Sequence, residues 1–205
     1  FPLLTVDDVP VFPVLPYSER NCSIYFSGNL NKNRFPLFAS LSKTMTFSEA
    51  LAGWLVRHNV IGKSRFFEKT FRGKSFDFSS SYSHSSISFY DGFNNGDEYA
   101  IYARKLQNSK IVLSPCGFSS TECFRLYEAM RQGCIVITEP LPHSLFYLNA
   151  PVVTLFSWDS LPEIFGTECL LSQYDPQTIR QYYDEYLSPE GIAKYVAAIL
   201  RESFC

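Results

Sequence analysis

Arg125 and Glu128 are the two residues whose types and spacing best suit a chemical role. They lie three positions apart on a helix that the sequence predicts to begin near Glu122, and this spacing places both side chains on one helical face. Near a helix N-terminus an anion is already favoured. A guanidinium there can bind a diphosphate with two hydrogen bonds, and a carboxylate can accept ribose hydroxyls. The alternative is an ordinary surface salt bridge, which contributes little.

Two apolar runs predict the strands that must hold this helix. Residues 111–113 and 135–137 are apolar without alternation, as expected for parallel strands covered on both faces. Upstream, Ser23 to Gly28 predicts another strand, and Gly28 permits close backbone approach at the carboxyl end, where open α/β sheets bind ligands. Arg34 follows near the start of the next predicted helix, either as a phosphate ligand or as a solvated arginine.

The central motif resembles the nucleotide-sugar half of exostosin-like glycosyltransferases. The resemblance covers roughly Ile24 to Leu161. Its motif residues are Ser109, Lys110, Leu113, Pro115, Gly117, Arg125, Glu128, Ala129, Gly133, Cys134, Val136 and Ile137. Two features depart from the family pattern: the loop from Gly117 to Arg125 is about a residue longer, and Cys116 stands where a basic residue is frequent.

The resemblance implies one half of a GT-B fold, an α/β Rossmann-like three-layer sandwich with a mostly parallel sheet. The alternation of predicted strands and helices favours the same architecture. The implied ligand is a UDP- or GDP-linked nucleotide-sugar, and the implied partners are a glycan acceptor and a second GT-B domain or a homodimer. The residues expected to bind the donor are Gly28, Arg34, Pro115, Gly117, Phe118, Arg125 and Glu128.

Glu139 and His143 are the candidate catalytic residues, because they follow the 135–137 strand at its carboxyl edge. Glu139 is placed to hold sugar hydroxyls. A histidine exchanges protons near neutral pH and suits acid or base catalysis, although a solvated loop histidine is the alternative. No Asp-x-Asp motif occurs, so we expect no metal and no other cofactor, with the diphosphate charge offset by Arg125, Arg34 and the helix dipole.

Composition limits the possible classes of protein. The chain has 205 residues, 46% hydrophobic and 19% charged, with a formal net charge of -2. It therefore predicts a folded globular protein without the basic surface that nucleic acid requires, and no apolar run suggests a membrane span. We expect a Pro-rich extended leader over residues 1–22 and one donor-binding domain over residues 23–205. The six cysteines are scattered and favour free thiols over disulfides or a zinc site.

Weaker patterns leave alternatives open. Between Gly73 and Gly96 serines alternate with aromatic residues, which predicts either a loop around a short strand or a base-binding wall containing Phe76 or Phe78. Asp97 is expected to cap a helix that runs to Leu106. Two other functions remain possible, namely a non-catalytic nucleotide- or carbohydrate-binding module and a hydrolase. The hydrolase rests on Gly117-Phe118-Ser119 alone, a fragment of a nucleophile elbow.

Overall fold

A computed structural model describes residues 12–58, 63–92, 97–164 and 169–204. They form a Rossmann-like α/β fold around one six-stranded sheet of order β2-β3-β1-β4-β5-β6. All neighbouring strands are parallel except the pair β2 and β3. The strands are β1 (Cys22–Asn29), β2 (Phe76–Asp77), β3 (Ser85–Tyr90), β4 (Ser109–Ser114), β5 (Ile135–Thr138) and β6 (Val152–Thr154).

Helices connect the strands and cover the sheet. They are α1 (Phe35–Leu41), α2 (Phe47–Arg57), α3 (Lys63–Phe71), α4 (Tyr99–Gln107), α5 (Phe124–Arg131), α6 (Leu161–Ile164), α7 (Cys169–Gln173), α8 (Pro176–Tyr182) and α9 (Pro189–Phe204). A π-helical segment, Tyr183–Leu187, continues α8. Because α4 leads from β3 into β4 and α5 leads from β4 into β5, both helices begin at the carboxyl edge of the sheet.

The core confirms the predicted central strands. Val112, Leu113, Val136 and Ile137 are fully inaccessible to solvent, as the unbroken apolar runs predicted. On the other side of β1, phenylalanine rings from α1, α3 and the β2–β3 region pack edge to face. Phe38 is central to them, with its ring centroid 4.7 Å from that of Phe76 and 5.6 Å from that of Phe89. This aromatic cluster fixes the position of α1 and therefore of the loop that precedes it.

Several local predictions differ from the structure. The motif helix begins at Phe124, two residues after Glu122. Asp97 is not the cap of α4: Glu98 holds that position, and the Asp97 carboxylate instead forms an ion pair with Lys105 at 2.7 Å. Phe76 and Phe78 do not form a base-binding wall, because both rings pack against Phe38 in the core.

Arg20 ties the end of the Pro-rich leader to the sheet. Its side chain is 2% exposed and donates to the backbone carbonyls of Leu15, Ser109 and Gln132 at 2.7–3.0 Å. The part of the leader from Phe12 onward lies against the domain, and residues 1–11 are outside the described residues. The division into a leader and one domain stays a prediction.

The described residues also give information on the cysteines, on membrane-spanning helices and on clusters of metal-binding side chains. The five cysteines found there are free thiols, and Cys205 is outside the described part. No helix in the described ranges is both long and apolar enough to cross a membrane. Among these residues, no group of three or more His, Cys, Asp or Glu side chains is close enough together to hold a metal ion.

Candidate functional site

A cavity of about 340 Å³ opens at the carboxyl edge of the sheet. Its walls come from the ends of β1 and β3 and from the first turns of α4 and α5. This is the edge at which open α/β sheets bind ligands, and the volume lies at the lower end of the range for small-molecule pockets. The lining residues are Ser27, Gly28, Asn29, Arg34, Tyr90, Gly92, Asp97, Tyr99, Tyr102, Cys123, Phe124, Arg125 and Glu128.

Arg125 is buried in the wall of this cavity. Its side chain is 8% exposed, its guanidinium stacks over the Phe26 ring at 4.7 Å from the centroid, and its Nη2 donates to the Ser27 carbonyl. The Nε and Nη1 atoms are buried and have no hydrogen-bond partner. Leaving such charged donors unsatisfied is costly, so this side chain is suited to an anionic ligand. No ion pair joins Arg125 to Glu128 in the described structure.

Arg34 points to the same place from the other side. Its side chain is also 8% exposed, and its Nη1 donates to the backbone and side-chain oxygens of Asn29. Its buried Nε has no hydrogen-bond partner. Burial, with a further contribution from Arg125, lowers the pKa of Arg34 to about 10. Two like charges are thus held together, and among the described residues neither guanidinium forms an ion pair with a carboxylate.

Gly28 is the point at which the two arginines meet. A Cβ atom at this position would lie 2.8 Å from Nη2 of Arg125 and 2.9 Å from Nη1 of Arg34. Any side chain would therefore displace both guanidinium groups. The glycine at the end of β1 permits close approach, as the sequence predicted, and the groups that approach are the two arginines.

Glu128 forms the floor of the cavity together with Tyr102. The Tyr102 hydroxyl donates to Oε2 of Glu128 at 2.9 Å. Burial raises the pKa of Glu128, although Tyr102 and Arg125 partly offset this effect. Burial also raises the pKa of Tyr102 well above its usual range, so the phenol remains a donor. This hydrogen bond orients the carboxylate and leaves Oε1 as an acceptor for a hydroxyl.

The loop from Pro115 to Phe118 lies beside the cavity and does not contribute to its lining. The side-chain amide of Asn33 donates to the carbonyls of Gly117 at 2.9 Å and Phe118 at 2.7 Å. The loop is thereby fastened to the segment that carries Arg34. Pro115 and Gly117 are buried, whereas Phe118 is 73% exposed and lines a neighbouring cavity of about 560 Å³.

The two candidate catalytic residues are not among the residues that line the arginine cavity. Glu139 accepts hydrogen bonds on both oxygens, from the Cys116 N–H at 2.6 Å and from the Trp158 indole at 2.9 Å. It therefore holds the Pro115–Phe118 loop against the 3₁₀ turn at Trp158. His143 is exposed and lines a separate cavity of about 590 Å³ beyond β5 and β6.

Four further residues line the cavity without having been predicted as site residues from the sequence: Asn29, Tyr99, Tyr102 and Phe124. Their roles depend on contacts between elements that are distant in sequence, such as the hydrogen bond between Tyr102 of α4 and Glu128 of α5. The one signal available was the position of Tyr99 and Tyr102 at the start of a helix that leads into the β4 strand. That position predicts burial of Tyr99 and identifies no partner for either tyrosine.

Comparisons of the sequence with known proteins bear on the family of the chain. Comparison with curated proteins and with solved structures gives no match. The sequence does match the family model described as the RXYLT1 C-terminal domain, over residues 90–204, whereas the exostosin-like assignment stays a resemblance. RXYLT1 is a GT-B glycosyltransferase, in agreement with the class expected from the motif. Because the match covers more than half of the chain, this protein belongs to the RXYLT1 C-terminal domain family, and that domain is part of a glycosyltransferase.

Proposed function

We propose that this chain binds the nucleoside diphosphate of a nucleotide-sugar donor in the arginine cavity and serves as the donor-binding half of a GT-B glycosyltransferase. The diphosphate lies at Gly28 between Arg34 and Arg125. The ribose hydroxyls lie at Glu128. The sugar extends from the open side of the cavity toward an acceptor that another domain holds.

The observation that carries the proposal is the pair of buried guanidinium groups with unpartnered N–H donors. Arginine presents its donors in a planar fork that matches phosphate oxygens. A dianionic ligand would satisfy these donors and relieve the repulsion between the two cations at once. Buried donors of this kind can also stabilise the charge that develops on a leaving diphosphate. In this proposal they offset that charge without a metal ion, and the sequence carries no Asp-x-Asp motif.

The family narrows the choice of sugar to test first. RXYLT1 is a ribitol xylosyltransferase, so a xylose donor linked to UDP or GDP is the leading candidate. The acceptor is a glycan or another polyol. Pro115, Gly117 and Phe118 do not line the cavity, and in this proposal their loop shapes the approach of the sugar from beside it. Glu139 acts on this loop through the Cys116 N–H.

Sugar transfer requires a second domain or a homodimer in this proposal. The cavity is open on one side, and a transferase must orient an acceptor and exclude water from the donor. His143 lies in the separate cavity. It could act as an acid or base only if that cavity faces the bound acceptor. The alternative, a nucleotide-binding module without catalysis, would have the same arginine site.

Titration calorimetry with UDP, GDP, their xylose conjugates and inorganic pyrophosphate tests the binding site. We expect Arg125→Ala to weaken all phosphate-containing ligands and to spare free nucleoside. Arg57→Ala is the matched control, because this arginine is exposed at the end of α2. Failure of every nucleoside diphosphate to bind at millimolar concentration would refute the proposal.

A transfer assay with radiolabelled nucleotide-sugars tests whether sugar transfer requires a second domain and whether it requires a metal ion. We expect the 205-residue chain to bind donor and to transfer no sugar, and we expect activity in the presence of a second domain to survive a chelator. Turnover by the isolated monomer would contradict the need for a partner domain. Loss of activity with the chelator would contradict metal-free catalysis.

A further inference from the structure

A second cavity adjoins the arginine cavity, and the proposed donor site assigns it no ligand. Its volume is about 560 Å³, and we call it the Phe118 cavity. Asn29 and Gly92 line both cavities, so the two share a wall at the ends of β1 and β3. The lining residues are Asn29, Leu30, Asn31, Lys32, Phe67, Glu68, Phe71, Arg72, Asp91, Gly92 and Phe118.

Phe118 is an exposed aromatic side chain on a loop that is held in place. The Asn33 side chain donates hydrogen bonds to the carbonyls of Gly117 and Phe118. The Asn31 side-chain oxygen in turn accepts from the backbone N–H groups of Asn33 at 2.9 Å and Arg34 at 3.0 Å. The backbone that carries the Phe118 ring therefore needs little further ordering when a ligand binds, which lowers the entropic cost of binding.

The α3 side of the Phe118 cavity is equally well supported. Phe67 and Phe71 are buried, and their ring centroids lie 5.7 Å and 5.9 Å from that of Phe35. These ring contacts fix α3 against α1. Glu68 and Arg72 each directly follow one of the two buried phenylalanines in the sequence, so their positions in the lining are fixed as well.

The charged residues of the lining balance one another. Lys32 and Arg72 are cations, and Glu68 and Asp91 are anions. In the described part of the chain, the side chains of Lys32, Glu68 and Arg72 form neither a hydrogen bond nor an ion pair. The Phe118 cavity thus presents donors and acceptors in equal measure, unlike the arginine cavity beside it.

This lining suits a ligand that carries many hydroxyl groups. A hydroxyl both donates and accepts hydrogen bonds, so it can pair with the ammonium and guanidinium groups and with the carboxylates. Two carboxylates disfavour a phosphate, and a purely apolar ligand would remove the charged groups from water without replacing their hydrogen bonds. A sugar or polyol unit has hydroxyls at its edges and C–H groups that can pack on the Phe118 ring, the usual combination of a few polar contacts with apolar walls.

We propose that the Phe118 cavity binds one sugar or polyol unit of the acceptor, while another domain holds the unit that reacts. The proposal rests on the proposed function, because the acceptor role requires a donor in the adjoining arginine cavity. The shared wall at Asn29 and Gly92 then keeps the acceptor chain beside the donor diphosphate. In this arrangement the present chain selects the acceptor as well as the donor.

NMR titration of the 205-residue chain with ribitol and with xylotriose tests the proposal. Dissociation constants in the millimolar range are expected for ligands of this size. Phe118→Ala and Arg72→Ala should each weaken both probes about fivefold, through loss of an aromatic contact and of a charged donor respectively. Phe118→Trp keeps an aromatic face and should retain the affinity of the wild type.

Two matched controls replace the same residue types outside the cavity. Phe47→Ala removes a phenylalanine that is 84% exposed on α2, and Arg57→Ala removes an exposed arginine at the end of that helix. Neither residue lines the Phe118 cavity, so both variants should bind the two probes as the wild type does. Arg72→Ala should also bind UDP with unchanged affinity, and circular dichroism checks that each variant is folded.

The outcomes separate this proposal from the proposed function. Absence of binding by both probes, or equal losses in the cavity and control variants, would overturn the acceptor site while UDP binding still supports the donor site. Weaker binding of UDP-xylose relative to UDP, without any loss for ribitol and xylotriose, would assign the cavity to the donor sugar and also overturn the proposal. Binding of the probes by a chain that binds neither UDP, GDP nor pyrophosphate would overturn both proposals.

Discussion

Replacement of Arg34 by glutamine should separate ligand binding from stability. Burial and the neighbouring Arg125 lower the pKa of Arg34 to about 10. The folded protein therefore holds the charged form at a free-energy cost on the order of a few kcal/mol. A neutral side chain removes this cost.

The opposing loss comes from the two hydrogen bonds that Arg34 donates to Asn29. Each contributes about 1 kcal/mol, and the glutamine amide can retain one of them. The free energy of unfolding of Arg34→Gln should therefore equal or exceed that of the wild type. Diphosphate affinity should fall at least about tenfold, because a charge-assisted donor is lost.

Urea denaturation and pyrophosphate calorimetry measure the two quantities on the same variant. Arg57→Gln, on the exposed end of α2, controls for loss of one positive charge. A variant that is destabilised by more than about 2 kcal/mol while it retains wild-type pyrophosphate affinity would make Arg34 a structural residue and refute the reasoning.

Three further predictions concern single residues. Glu128→Gln should weaken ribose-containing ligands and spare pyrophosphate. Since burial raises the pKa of Glu128, the affinity of the wild type for UDP should fall more steeply than that of the variant as the pH is lowered and the Glu128 carboxylate is protonated. Two parallel calorimetric profiles would contradict this role. Gly133→Ala should lower the free energy of unfolding in urea by about 2–4 kcal/mol, because φ is +66° and the new Cβ would lie 2.5 Å from the Pro176 carbonyl oxygen. Gly73→Ala, at φ +68° with open space around it, is the matched control and should lower it by about 1–2 kcal/mol. Equal losses in the two variants would show that the contact with Pro176 is unimportant. Arg20→Met should lower the free energy of unfolding by about 3 kcal/mol or more, because it leaves buried carbonyls without donors. A loss below about 1 kcal/mol would indicate that water replaces the guanidinium.

The central strands could be predicted because unbroken apolar runs of this length are typical of strands that are covered on both faces. Ile111 to Leu113 and Ile135 to Ile137 are apolar in unbroken runs, and both became fully covered strands. The helix α3 (Lys63–Phe71) was missed, because its charged residues conceal a short apolar face. Phe67 and Phe71, four positions apart and buried, were the signal that could have revealed it.

Half of the site could be predicted for a similar reason. Arg125 and Glu128 share one helix, so their spacing fixes their relation in any fold that contains the helix. The meeting of Arg34 with Arg125 depends on the path of β1 and α1, which a local pattern does not encode. The aromatic residues between Gly73 and Gly96 show the opposite error. Phe76 and Phe78 suit a binding wall by type, but the sheet directs both into the core.

The matched family region includes only some of the residues that line the arginine cavity. Residues 90–204 include Tyr99, Phe124, Arg125 and Glu128, whereas Gly28 and Arg34 precede this range. The carboxylate that the proposal assigns to the ribose therefore lies within the matched region, and the second guanidinium comes from the start of α1, outside the match. If the cavity acts as one nucleotide site, Arg34→Gln must weaken pyrophosphate and UDP alike, while Glu128→Gln weakens UDP alone. The two variants thus test whether residues on either side of Tyr90 serve a single ligand.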